Sequence, residues 1–199
     1  MFSIRVFLTT VTTVGLLATT TALADGEHED ITVGVTGGGQ LAAHFEWDEV
    51  HELPFVDDVL HGWLGDDPGF VHLEEDEPGE DFYMLADGVD VYFEVVSFDA
   101  AFQAWGPGFT GPYADPGDQV YLGDAELHDH LEWHINADDP AYDPGAAPWQ
   151  AHFRLVDQGS TGYLPSETYT LSFVPEPASA ALLLIGGLAI GRRRRADWR

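Results

Sequence analysis

The stretch LHDHLEWHI, residues 127–135, predicts the fold of this chain most directly. Its apolar and polar residues alternate, as expected for a β-strand in which successive side chains point to opposite faces. Apart from Asp129, the face turned toward the core consists of Leu127, Leu131, Trp133 and Ile135. The opposite face consists of His128, His130, Glu132 and His134. The stretch therefore predicts a strand with one buried face and one polar face rich in histidine.

Residues 149–156, WQAHFRLV, have the same design and predict a second strand. The inward face consists of Trp149, Ala151, Phe153 and Leu155, and the outward face of Gln150, His152 and Arg154. The intervening residues 137–148 are long enough for an antiparallel return. The two strands are therefore predicted to form a hairpin.

The register of this hairpin follows from the faces of the two strands. Because the apolar faces must coincide, the register can change only in steps of two residues. One such register pairs Glu132 with Arg154 and His134 with His152. A cross-strand pair of opposite charge contributes roughly 0.2–1 kcal/mol, so the arginine favours this register over those that place a histidine opposite it.

The remainder of residues 25–173 shows further short alternating runs, separated by Gly, Pro and Asp. Residues 31–35, 41–48, 89–98 and 168–174 are the clearest additional strand candidates. This pattern is typical of an all-β protein with roughly seven to nine strands. We predict a single antiparallel β-sandwich of the jelly-roll or immunoglobulin-like type.

The histidines on the outward faces are candidate metal ligands. Neighbours on one face of a strand are about 7 Å apart, so three histidines in a row cannot share one ion. His128 and His130 form an H-x-H pair, and His44 on another alternating run is a candidate third ligand. His134 with His152 forms a second candidate site. A solvated histidine-rich face without bound metal is the alternative interpretation.

The ligand types favour zinc or another divalent cation, since neutral imidazoles are common zinc ligands. Calcium is an alternative, because residues 115–118 and 138–143 are rich in aspartate. Neither loop follows the spacing of an EF-hand. No other cofactor is indicated by the sequence.

The charge of the chain is strongly negative, at −28. All seven basic residues are arginines, and Arg154 alone falls within residues 25–174. Two of the 35 acidic residues, Glu176 and Asp197, lie after this range, so the remaining 33 surround one cation. Such a surface repels nucleic acid and anionic lipid, and it suits divalent cations, polycations or a saline medium. Cysteine is absent, which excludes disulfides and thiolate chemistry.

The two ends of the chain differ from the rest in composition. Residues 1–24 combine Arg5, an apolar core and the small-residue sequence Ala-Leu-Ala, as in a secretory signal peptide. Residues 174–199, VPEPASAALLLIGGLAIGRRRRADWR, contain a Pro-Glu-Pro breaker, a short apolar run and an arginine cluster. The apolar run is shorter than the roughly 20 residues that cross a bilayer comfortably. The residues of the breaker and the cluster are Pro175, Glu176, Pro177, Arg192, Arg193, Arg194 and Arg195.

The order of these three parts resembles the PEP-CTERM sorting signal of Gram-negative bacteria. The resemblance implies export, transient anchoring by a C-terminal transmembrane helix, and recognition by a membrane protease of the exosortase class. It also implies delivery to the cell envelope or extracellular matrix. The second half of the chain, including LGDAELHDHLEWHINADDPAYDPG and FRLVDQGSTGYLPSETYTLSF, is similar in layout to histidine-rich exported PEP-CTERM β-domain proteins. Some of that group are linked to zinc homeostasis.

Together these observations predict a signal peptide over residues 1–24, an acidic β-domain over 25–173 and a sorting segment over 174–199. We expect a non-enzymatic protein that binds a divalent metal, with exosortase, the secretion machinery and extracellular polysaccharide as candidate partners. A secreted cupin-like or polysaccharide-active enzyme, or a lectin-like carbohydrate-binding module, is the alternative. A cupin site would begin like Gly123, His128 and His130, but His134 stands where its glutamate belongs. No G-x-S-x-G sequence indicates a serine hydrolase.

Overall fold

The computed structural model describes residues 30–58 and 60–176. Within these ranges the regular structure is entirely β, which confirms the predicted class. Fifteen strands occur there, more than the predicted seven to nine, because many of them have only two to four residues. In chain order they are β1 (Ile31–Thr36), β2 (Leu41–His44), β3 (Val50–Leu53), β4 (Phe55–Val56), β5 (Gly62–Gly65), β6 (Phe70–His72), β7 (Phe82–Tyr83), β8 (Val91–Phe98), β9 (Phe102–Gly106), β10 (Thr110–Tyr113), β11 (Gln119–Gly123), β12 (His128–Asp129), β13 (Glu132–Asn136), β14 (Trp149–Asp157) and β15 (Tyr169–Pro175).

The strands form three sheets of five strands each. The first sheet has the order β12-β6-β1-β2, with β7 also paired to β1. The second sheet has the order β10-β9-β13-β5-β4, and the third has the order β11-β8-β14-β15-β3. The prediction of a purely antiparallel arrangement is wrong, because β1 pairs with β6 and β15 pairs with β3 in parallel. Parallel neighbours need a long crossover connection, and the chain between β1 and β6 supplies one.

A single aromatic core joins the three sheets. Phe70 of the first sheet lies 6.5 Å from Trp133 of the second and 5.8 Å from Phe153 of the third, measured between ring centroids. Phe93 of the third sheet lies 5.8 Å from Trp133. These spacings are those of packed aromatic pairs. The residues predicted to face inward in the stretches 127–135 and 149–156 are confirmed as buried: Leu127, Leu131, Trp133, Ile135, Trp149, Ala151, Phe153 and Leu155.

The predicted hairpin between residues 127–135 and 149–156 is wrong. Strand β13 lies between β9 and β5 in the second sheet, whereas β14 lies between β8 and β15 in the third. The cross-strand partner of Arg154 is Glu94 on β8, and Arg154 Nε donates a 2.6 Å hydrogen bond to Glu94 Oε1. The arginine therefore has a carboxylate directly opposite, but on a strand that the face pattern alone could not distinguish from β13.

The stretch 127–135 is also not one continuous strand. β12 pairs with β6 in the first sheet, and the chain passes into the second sheet before β13 begins at Glu132. Leu131 at this junction is fully buried. The change of sheet separates His128 and His130 from His134, so the predicted row of histidines on one face does not form.

The last strand extends one residue further than predicted, through Pro175. The pairing of β15 with β14 ends at Phe173, so the missing N–H of Pro175 deprives β14 of no hydrogen bond. On the other side Pro175 is paired with Leu53, whose carbonyl accepts a 2.9 Å hydrogen bond from the N–H of Glu176. The predicted signal peptide, Pro177 and the cluster Arg192–Arg195 lie outside the described residues. Within the described residues no helix has the length and apolar character needed to cross a membrane.

Candidate metal centre

Two groups of histidine and carboxylate side chains converge within the described part of the chain. The first, which we call the Asp30 site, consists of Asp30, His128 and His130. The second, the His44 cluster, consists of His44, Glu77 and Glu80. In each group the candidate ligand atoms all lie within 4.8 Å of one another. The structure thus brings the predicted H-x-H pair together, but it places His44 in a different group.

The Asp30 site is assembled by the first sheet. Strand β6 lies between β1 and β12, and its Val71 is paired with Thr32 on one side and His128 on the other. Asp30 immediately precedes β1, and His130 immediately follows β12. Because side chains two residues apart share a face, Asp30, His128 and His130 point to the same side of this sheet. The rings of His128 and His130 lie 5.6 Å apart.

The distances within the Asp30 site suit a small cation. Asp30 Oδ2 lies 3.8 Å from His128 Nε2 and 4.0 Å from His130 Nε2. Ligand atoms around a tetrahedral zinc ion with bonds of about 2.0–2.2 Å are about 3.4 Å apart. The two distances from Asp30 exceed this value by only about 0.4–0.6 Å, and the two histidine ligand atoms lie within 4.8 Å of each other.

Hydrogen bonds outside this triangle orient two of the three ligands. Asp30 Oδ1 accepts a 3.0 Å hydrogen bond from the N–H of Gly69, and this leaves Oδ2 toward the histidines. His130 Nδ1 lies 2.9 Å from the carbonyl oxygen of Asp66. Since a carbonyl can only accept, Nδ1 carries the proton, and Nε2 of the neutral ring keeps its lone pair for a metal.

The surroundings of the Asp30 site are acidic. Burial alone would lower the pKa of His130, but the Asp66 carbonyl and the carboxylates of Asp30, Asp66 and Asp67 outweigh it and raise that pKa. Burial raises the pKa of Asp129, although the N–H and the ring of His130 and the ring of His128 oppose the shift. The potential at the site therefore favours a bound positive charge.

The His44 cluster is more exposed. His44 Nδ1 lies 4.0 Å from Glu77 Oε2 and 3.9 Å from Glu80 Oε2, and the ring stacks on Phe82 at 3.9 Å. The side chains of His44, Glu77 and Glu80 are 43%, 50% and 69% exposed. Binding here would have to order two flexible glutamates, which costs conformational entropy. The Asp30 site, with two ligands already oriented, is the better candidate.

The second predicted site, formed by His134 and His152, is wrong because the two residues lie in different sheets. His152 Nδ1 lies 2.8 Å from the hydroxyl of Thr170. His134 is 1% exposed, and its Nε2 lies 3.3 Å from the carbonyl of His61. Its Nδ1 has no hydrogen-bond partner among the described residues. His134 is therefore a core residue, with burial as the main cause of its lowered pKa.

This environment predicts how His134 affects stability with pH. Its folded-state pKa lies below the unfolded value near 6.5, so the unfolded state binds more protons as pH falls below about 6.5. The associated stability is present above that pH and is lost down to the folded-state pKa. Between about pH 6.5 and pH 5, the His134→Gln variant should therefore lose less stability than the wild type. Glutamine keeps a donor for the His61 carbonyl, so urea unfolding at several pH values isolates the titration. If the free energy of unfolding fell equally steeply with pH in both proteins, this assignment would be contradicted.

Sequence reasoning did not identify Asp30 as a candidate ligand. Asp30 is about 100 positions from the histidines, and only the strand order β12-β6-β1 brings it to them.

The aspartate-rich loops, which the sequence offered as candidate calcium sites, have a local structural role, because several of their carboxylates close turns. Asp118 accepts from the N–H groups of Ala114 and Asp115, and Asp143 accepts from that of Gly145.

The Asp30 site offers two imidazole nitrogens and one carboxylate oxygen. This donor set suits zinc and neighbouring transition metals better than calcium or magnesium, which take mostly oxygen ligands. With three protein ligands, a fourth position would remain for water or another group. No protein-family model, curated protein or solved structure matches this chain.

Proposed function

We propose that this is an exported, non-enzymatic protein that binds a divalent transition metal, with zinc as the best fit, at Asp30, His128 and His130. The observation that carries the proposal is the position of Asp30 Oδ2, within 4.0 Å of Nε2 of both histidines. The contact between His130 Nδ1 and the Asp66 carbonyl supports it, because in the neutral ring this contact leaves Nε2 unprotonated, and zinc binds the unprotonated nitrogen. The surrounding negative charge adds a general attraction for cations.

The competing explanation is a simple pair of ionic contacts between Asp30 and protonated histidines. Contacts of 3.8–4.0 Å are long for charged hydrogen bonds. Exposed ion pairs contribute about 0.2–1 kcal/mol and need no metal. Zinc binding distinguishes the two, since only a ligand site responds to zinc at neutral pH.

A direct test is calorimetric titration with zinc after treatment with a chelator, together with elemental analysis of the purified protein. The proposal expects one tightly bound zinc per chain and little competition from calcium. Failure to bind zinc stoichiometrically would contradict it. Binding of two equivalents would indicate that the His44 cluster also takes part.

We also infer that the three sheets pack as a β-sandwich of the jelly-roll or immunoglobulin-like type. The shared aromatic core of Phe70, Trp133 and Phe153 supports this arrangement, because each residue comes from a different sheet. Such a scaffold places the Asp30 site on a sheet face. The proposed location is the cell envelope or extracellular matrix, where polysaccharide is a candidate partner.

Sorting is a further part of the proposal, and it rests on the tripartite segment 174–199. Mature protein from the native host is expected to lack the apolar run and the arginine cluster. Because Pro175 is paired with Leu53, processing should occur after Pro175 and leave β15 intact. Mass spectrometry of the secreted protein measures its C-terminus. An intact cluster Arg192–Arg195 on the secreted form would show that sorting does not follow this route.

A further inference from the structure

We propose that Gly69 is the positioning residue of the Asp30 site. It orients Asp30 through its backbone N–H, and its lack of a side chain makes room for the imidazole of His130. The inference rests on the proposed metal function and adds a residue that is not itself a ligand.

The register of the first sheet places Gly69 between two of the ligands. Phe70 is paired with Ile31 on β1 and with Asp129 on β12. Because β1 runs parallel to β6 and β12 runs antiparallel to it, the next row of cross-strand neighbours consists of Asp30, Gly69 and His130. Gly69 thus occupies the position between a carboxylate ligand and an imidazole ligand, where its own side chain would share their face.

A positive φ is not the reason for glycine at this position. Gly69 does not have a positive φ, unlike Gly62 and Gly123 at φ +144. Positive φ is the usual conformational reason for glycine. The space around the Cα of Gly69 supplies a different reason.

That space is filled by His130. A Cβ added at Gly69 would lie 2.5 Å from Cε1, 2.6 Å from Nδ1 and 2.7 Å from Nε2 of the His130 ring. Distances below 3.0 Å require something to move. The imidazole therefore lies directly on the glycine, and any side chain at position 69 would displace it.

The backbone around Gly69 is held in place, so the ring would have to move instead. The carbonyl of Gly69 accepts a 2.9 Å hydrogen bond from the N–H of Ile31. The carbonyl of Pro68 accepts a 3.1 Å hydrogen bond from the buried Nε1 of Trp133. A displaced ring would lose the bond between Nδ1 and the Asp66 carbonyl, and Nε2 would no longer face Asp30.

The test is the Gly69→Ala variant of the purified protein, with Gly38→Ala as a matched control. A Cβ at Gly38 would meet only Thr36 Oγ1, at an ordinary 3.6 Å, and Gly38 also lacks a positive φ. Calorimetric titration with zinc should show affinity reduced about 10–100-fold in Gly69→Ala, as for other residues that orient metal ligands. Gly38→Ala should stay within about twofold of the wild type. Equal zinc affinity in Gly69→Ala and the wild type would overturn the proposal.

Two measurements on metal-free protein separate this proposal from the metal function itself. Imidazole ¹⁵N NMR should show the Nδ1–H tautomer of His130 in the wild type and its loss in Gly69→Ala. Gly69→Ala should also reduce stability in the wild type but not in a His130→Ala background, where no ring remains to be displaced. If the wild type binds no zinc while both results hold, the metal function fails and the positioning contact stands.

Folding of the variants also decides the question. If Gly69→Ala does not fold but Gly69→Ala/His130→Ala does, the collision with the imidazole is supported. If neither folds, or if Gly69→Ala costs as much stability without the His130 ring as with it, the collision is not the reason for glycine and the proposal is overturned.

Discussion

Replacing His128 and His130 together by alanine is expected to remove most of the increase in melting temperature that zinc produces. A ligand that binds only the folded state stabilises it by about 2.7 kcal/mol at 100 times its Kd. For a domain of this size that corresponds to a shift of about 5–10 °C. The double variant keeps only Asp30 of the three ligands, so its zinc affinity should fall too far to produce such a shift. Differential scanning calorimetry with and without zinc measures the effect.

Two controls make this experiment specific. His44→Ala removes an imidazole of the other cluster and should leave the zinc shift nearly unchanged. Asp30→Asn keeps the size of the side chain but removes its charge, so it should reduce the shift. The wild-type shift should weaken as pH falls, because bound imidazoles must be neutral, and the raised pKa of His130 starts this loss above the ordinary histidine value near 6.5. A full zinc response in His128→Ala/His130→Ala would show that the metal binds elsewhere.

Replacing Asp157 by asparagine is expected to destabilise the fold strongly, because this carboxylate organises the turn after β14. Oδ1 accepts from the N–H groups of Asp90 and Gly159, at 3.2 and 2.7 Å. Oδ2 accepts from the hydroxyl of Thr161 at 2.5 Å, and from the N–H groups of Gly162 and Tyr163 at 3.1 and 3.2 Å. An amide would turn its NH₂ toward donors and leave some of them without an acceptor. Since hydrogen bonds to charged groups contribute about 1.5–3 kcal/mol each and do not add, a loss of about 2–4 kcal/mol is expected.

Asp143→Asn is the matched control, because the Asp143 carboxylate accepts a hydrogen bond from the N–H of Gly145 in an exposed turn. It should change the free energy of unfolding by less than about 0.5 kcal/mol.

The hydrogen bonds of Asp157 also make its contribution to stability depend on pH. Burial alone would raise the pKa of the Asp157 carboxyl, but its hydrogen bonds outweigh burial and lower that pKa in the folded state. Its stabilisation is therefore present above the unfolded pKa near 3.8 and is lost as pH falls through the lower folded-state pKa. Urea unfolding of both variants at neutral pH and at about pH 3 tests both statements. Similar losses in Asp157→Asn and Asp143→Asn would contradict this role.

The local structure followed well from the sequence. Alternation identified which side chains of β13 and β14 face the core, and Trp133, Ile135, Phe153 and Leu155 are all fully buried. Two-residue spacing also brought His128 and His130 to one side of the chain. These features depend only on neighbouring residues and on the pleat of a strand.

His134 shows where local reasoning failed. Alternation places it opposite Trp133, on a face that should meet solvent, yet it is buried with both neighbours. β13 lies in the middle of its sheet, between β9 and β5. A central strand can be covered on both faces, and alternation does not reveal that cover.

The sequence by itself determined the β class of the domain, the inward faces of its main strands and the H-x-H pair. Tertiary structure alone decided that β12 and β13 enter different sheets, that Arg154 meets Glu94, and that Asp30 joins the two histidines. The physical reason is that parity restricts the register of a strand but does not choose its partner. Several strands offer equivalent apolar faces, and the choice among them depends on packing of the shared core, which involves residues far apart in the chain.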